Sequence, residues 1–103
     1  MKRTEGLSIA RRFRDALLAR GYPVQRVVVF GSVARDEATE DSDLDIAVIS
    51  EPFAKTRHEE NMALRRLCWD IDMRIEPFTL HPDDFEQPTF ALPTEVEREG
   101  VAV

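Results

Sequence analysis

GSVARDEATEDSDLDIAVIS, residues 31–50, sets a Gly-Ser pair, a polar loop and two aspartates one residue apart ahead of an apolar run. The second half alternates. Asp43, Asp45, Ala47 and Ile49 fall on one side of an extended chain, and Leu44, Ile46 and Val48 fall on the other. A strand is expected there, with one apolar face and a second face that begins with paired carboxylates. Just upstream, VVVF at 27–30 is short, continuous and β-branched, which predicts a buried strand running into the Gly31-Ser32 turn. Ser32 to about Asp36 then starts a short helix, and ATEDS reads as an exposed loop.

Further out, Ile9, Phe13 and Leu17 recur every four residues beside Ala10 and Leu18, so a helix is expected over about residues 5–20, stopped at Gly21. A second helix is expected from Phe53 or Ala54 to Ile71, because Leu64, Leu67, Cys68 and Ile71 keep helical spacing. MRIEPFTL, residues 73–80, predicts a third strand whose Pro77 points to an edge position or an irregularity, with Arg74, Glu76 and Phe78 on one face. Pro82 to Phe85 predicts a helical turn, and Thr94-x-x-Glu97 a capping box before a last short helix ended by Gly100. The expected fold is α/β in the α+β sense: a small mixed sheet of three or more strands, helices on one face and the acidic site on the other. One domain is expected over 1–103, with its core motif over 27–80.

Composition narrows the function. No apolar run reaches the ~20 residues of a membrane helix and the N-terminus lacks a signal-peptide core, so a cytoplasmic protein is expected. A net charge of −6 argues against direct nucleic-acid binding, which rests on phosphate neutralisation. The arginines in ARRFRDALLAR and RRLCWDIDMR read as solvated helix faces. Cys68, the only cysteine, reads as core. His58 and His81 show no metal spacing, and Trp69, Phe78, Phe85 and Phe90 read as packing residues.

The paired aspartates carry the chemistry. Carboxylates at i and i+2 on a strand repel unless something positive lies between them, and a hard divalent cation such as Mg2+ relieves the repulsion while taking phosphate oxygens. Gly31 lets the backbone approach a ligand, and Ser32 offers a hydroxyl and an N–H, so the turn suits a phosphate. A third carboxylate is needed on the adjoining strand to orient or deprotonate an attacking hydroxyl; parity allows Glu76 or Asp72. Arg35 is placed to pair with Asp36, Glu37 or a phosphate, and Arg74 to meet the nucleotide or neutralise Asp72.

GSVARDEATEDSDLDI resembles the motif GSxARGxxxxxSDxDL of the minimal nucleotidyltransferases, within the DNA polymerase β-like nucleotidyltransferase superfamily. The likeness runs from about Val27 to Leu80. It implies transfer of a nucleoside monophosphate from a triphosphate, ATP by analogy, with two Mg2+ ions held by Asp43, Asp45 and, by the match of RIEPF to the third-acid strand, Glu76. Gly31, Ser32 and Arg35 would bind the nucleotide. Asp36 departs from the motif's glycine and adds negative charge near the phosphate turn. The minimal proteins resemble the antitoxin half of modules with a HEPN-domain ribonuclease toxin, which implies a tyrosine of the toxin as acceptor. Two other readings are a module that neutralises its partner by contact alone, and a transferase acting on a small molecule, as aminoglycoside-modifying relatives do, from its own pocket or a homodimer.

Overall fold

The alternating stretch becomes an inner strand of a four-stranded sheet. The computed structural model describes residues 1–103. In chain order the elements are α1 (Arg3–Ala19), β1 (Val24–Phe30), α2 (Gly31–Ala34), β2 (Leu44–Ser50), α3 (Arg57–Ile71), β3 (Ile75–Leu80), α4 (Asp83–Glu86), α5 (Leu92–Glu99) and β4 (Val101–Ala102). The sheet order is β3-β2-β1-β4. β1 runs antiparallel to β2 and β4, while β2 and β3 are parallel, their crossover made by α3. Pro77 lies on the edge strand β3, where a missing N–H is tolerated.

Burial follows the parity of β2. Leu44, Ile46 and Val48 pack with Val27 and Val29 beneath Ile9, Phe13 and Leu17 of α1 and Leu64, Leu67 and Cys68 of α3. On the opposite face Ala47 and Ile49 meet Val28, Phe30, Leu80 and Val96 of α5. The acidic face is therefore partly covered by a short helix, and the two long helices share the other face. No helix is long and apolar enough to cross a membrane.

Several boundaries move for local reasons. α3 starts at Arg57, later than hydrophobic spacing suggests, because the Thr56 hydroxyl accepts the Glu59 N–H at 3.1 Å and caps the helix. Glu59 reaches back to accept the Lys55 N–H at 3.3 Å. The capping box expected at Thr94 does not form: Pro93 stands in the first turn, so α5 begins at Leu92 and Thr94 lies inside it. β3 begins at Ile75, leaving Arg74 in a turn off the expected strand face. Beyond Gly100 the chain adds β4, two residues with too little sequence to show a period.

Candidate active site

β1 and β2 build the site at the end where β1 turns into α2. Phe30 pairs with Asp45 across the two strands, so the residue after Phe30 is set against the Asp45 carboxylate. That residue, Gly31, has φ 73°, and a Cβ there would collide with Asp45 Oδ2. Only glycine satisfies both the backbone conformation and the approach. The loop that delivers the aspartates is shaped by Ser42, whose hydroxyl accepts the Thr39 N–H at 2.8 Å, while the N-terminal amino group donates to the Thr39 carbonyl at 2.9 Å.

The acids concentrate around Asp45. Asp43 is exposed just before β2; Asp45 is half-buried within it; Glu76 lies directly across from Asp45 on β3. Burial, then the negative charges of Asp43, Glu76 and Glu95, push the Asp45 carboxyl up to about 6, with Arg35 acting the other way. An all-oxygen donor set in a net negative field suits a hard divalent cation, and Asp43 and Asp45 would be its ligands. No three His, Cys, Asp or Glu side chains converge into a ready-made metal site. Glu76 is engaged by Arg65 of α3, whose Nη2 donates to Oε1 at 2.7 Å.

Asp72, the other sequence candidate for third acid, is taken up elsewhere. Arg74 donates to its two oxygens at 3.0 and 2.9 Å and to Glu5 at 3.1 Å. These bonds, opposed by burial, hold the Asp72 carboxyl below its ordinary range, and Asp72 is not among the charges acting on Asp45. Of the two options left open by strand parity, Arg74 neutralises Asp72.

Arg35 pairs with Glu37 at 3.1 Å and with a residue the sequence did not suggest, Glu99 of α5, both of whose oxygens lie 3.0 Å from Nη1. Glu99 also accepts the Gly31 N–H at 3.2 Å. Burial raises its carboxyl, but Arg35 and the Gly31 N–H outweigh this, and the net shift is downward. Glu95 and Glu99 stand four apart on α5, a spacing that puts them on one helix face, yet nothing local in the sequence says what that face meets. Asp36 is exposed with φ 60°, the left-handed region. The motif's glycine is thus a backbone requirement, which aspartate meets with some strain.

Other residues sort themselves by packing. Cys68 is buried and its thiol is pushed up to about 12, chiefly by burial, so it is no nucleophile. His81 lies 2.7 Å from Glu60, which is 1% exposed and also accepts the Phe53 N–H at 2.9 Å. Phe78 packs edge-on against Phe30 and Phe85 lies under Arg26, as packing residues should. Trp69 is 65% exposed and Phe90 41%, contrary to expectation. Trp69 falls outside the Leu64, Leu67, Cys68, Ile71 stripe, so the helix turns it to solvent.

The model of the nucleotidyltransferase domain family matches residues 10–95. Among solved structures, a Sulfolobus solfataricus protein described as a nucleotidyltransferase superposes with a TM-score of 0.68 at 16% identity, covering 97% of this chain and 80% of that one. Two toxin–antitoxin structures, an MntA–HpeT mutant and one with AMP-PNP, each give a TM-score of 0.63 at 19% identity. They cover 90% of this chain and 69% and 70% of theirs. At such identities the likeness is one of fold. No curated protein matches the chain by sequence. With the family model spanning most of its length, the chain belongs to the nucleotidyltransferase domain family.

Proposed function

We propose that the chain moves AMP from ATP to a hydroxyl of a protein partner, a tyrosine of a HEPN-type toxin, and so acts as an antitoxin. The observation that carries this reading is the meeting of Asp45 and Glu76 on adjacent strands beside the Gly31 turn and Arg35. The likeness to toxin–antitoxin structures, one of them with AMP-PNP, supports both the partner and the nucleotide.

On this reading Asp43 and Asp45 would hold one Mg2+, and Glu76, once free of Arg65, would complete a second site. Bound there, Mg2+ supplies neutralisation of phosphate charge and a Lewis acid at the oxygens of the reacting phosphate. The Gly31 N–H and Arg35 orient the triphosphate, and Glu76 orients the attacking hydroxyl or accepts its proton. That oxygen bonds to the α-phosphorus, the bond from the α-phosphorus to its bridging oxygen breaks, and pyrophosphate leaves.

The test is to copurify the chain with the product of its neighbouring gene, add ATP labelled at the α-phosphate with Mg2+, and locate the label. Label on a partner tyrosine, absent from an Asp43→Asn/Asp45→Asn control that still forms the complex, is expected. A complex that forms without any transfer would favour the second reading, neutralisation by contact, to which the engagement of Glu76 by Arg65 lends weight. Transfer to a small molecule with no partner present would point to the third.

A further inference from the structure

Glu99 occupies the donors that the proposed function assigns to the triphosphate. Its side chain is 13% exposed, its Oε1 accepts the Gly31 N–H at 3.2 Å, and both its oxygens lie 3.0 Å from Arg35 Nη1. A carboxylate held by a backbone N–H and a guanidinium copies the coordination of two phosphate oxygens. Arg35 spends its remaining contact on Glu37. A phosphate entering here would meet a filled pair of donors and a second negative charge.

We propose that Glu99 is a built-in competitor for the triphosphate, an autoinhibitory carboxylate that closes the Gly31 turn and Arg35 until nucleotide displaces it. The inference rests on the nucleotide-binding reading above. Displacement takes the Glu99 side chain off these donors at the C-terminal end of α5, where the chain passes through Gly100 into β4. β4 pairs only Val101 and Ala102 with β1, Val103 donates one hydrogen bond to the Val27 carbonyl at 2.9 Å, and the Arg26–Glu97 ion pair lies at the surface. Glu99 is anionic at neutral pH, since Arg35 and Gly31 keep its carboxyl below the ordinary range against the pull of burial. The competition is therefore one of anion against anion for the same two donors.

The experiment is calorimetric binding of AMP-PNP with Mg2+ to wild type, Glu99→Gln and Glu97→Gln, the last removing the same charge from α5 at a residue that pairs with Arg26. Glu99→Gln should bind about tenfold tighter, a change of about 1.4 kcal/mol, with Glu97→Gln unchanged. Equal or weaker binding by Glu99→Gln while wild type binds would overturn the inference and leave the nucleotide reading in place. No binding by any of the three would overturn both. A wild-type measurement makes the test independent of variant folding. On adding AMP-PNP and Mg2+, the amide resonances of Gly31 and of residues 99–103 should shift together; a shift at Gly31 alone would refute displacement.

Discussion

Asp45→Asn should make the protein more stable at neutral pH while depriving the proposed metal of a ligand. The Asp45 carboxyl is raised from 3.8 to about 6, first by burial and then by Asp43, Glu76 and Glu95. At about 1.36 kcal/mol per pH unit, that interval is worth about 3 kcal/mol against the folded state. Asp45 is only half-buried, and solvent screening reduces the figure to about 1–2 kcal/mol. Because the native state binds the proton more tightly than the unfolded chain, the penalty is absent below about pH 3.8, grows up to about pH 6, and is complete above it. Asparagine keeps the shape and removes the charge. Thermal unfolding followed by circular dichroism should show the variant about 5–10 °C above wild type at pH 7.5, with the gap closing toward pH 4. Mg2+ should narrow the gap at pH 7.5 by stabilising wild type alone. A variant no more stable at pH 7.5, or one whose advantage is the same at pH 4, would refute the reasoning.

Asp36→Gly should raise stability by about 0.5–1 kcal/mol, read by urea denaturation, because it relieves a left-handed conformation at φ 60°. Thr79→Val should stabilise by about 1 kcal/mol in the same assay, since the buried Thr79 hydroxyl has no hydrogen-bond partner and valine keeps its shape. Cys68, its thiol raised to about 12 by burial, should resist a thiol reagent at pH 8 until denaturant is added; rapid labelling of the native protein would contradict its place in the core.

The parts of the fold legible in the sequence are those fixed by a local period. Alternation through residues 43–50 places Ile46 against α1 and α3 and Asp45 on the opposite face, since a strand buried on both sides cannot slip by one residue without inverting them. The stripe through Leu64, Leu67 and Cys68 buries the face of α3 that it should. Trp69 was misjudged because a general habit of aromatic residues outweighed its own position off that stripe. Two T-x-x-E patterns occur, and the one at Thr56 caps a helix while the one at Thr94 does not. The difference is Pro93, whose fixed φ starts α5 early.

The site was legible only where the chain is contiguous. Gly31, Ser32, Asp43 and Asp45 lie in one short stretch; strand parity leaves Glu76 and Asp72 both open as the third acid, and Glu76 is singled out by the likeness of RIEPF. Arg65 and Glu99 reach them from α3 and α5, the latter across 68 positions in sequence from Gly31. No spacing rule announces such contacts, because they depend on how helices settle on the sheet. Their effect is coherent nonetheless. On the proposed reading, a site for a metal and a phosphate keeps charges of both signs close together when neither is bound, and Glu76 and Arg35 each have a partner from the chain. Arg65 neutralises Glu76, Glu99 neutralises Arg35, and Asp45, which has no such partner, carries its charge at neutral pH at a cost to the fold, its carboxyl raised to about 6. On the proposed reading each of these internal contacts has its external counterpart. A cation would replace Arg65 at Glu76 and offset the charge of Asp45, and phosphate oxygens would replace Glu99 at Arg35 and the Gly31 N–H. The order of replacement matters. Phosphate arriving without the cation meets Asp43, Asp45, Glu95 and Glu99 together, and a cation arriving first cancels part of that repulsion before Glu99 has to move.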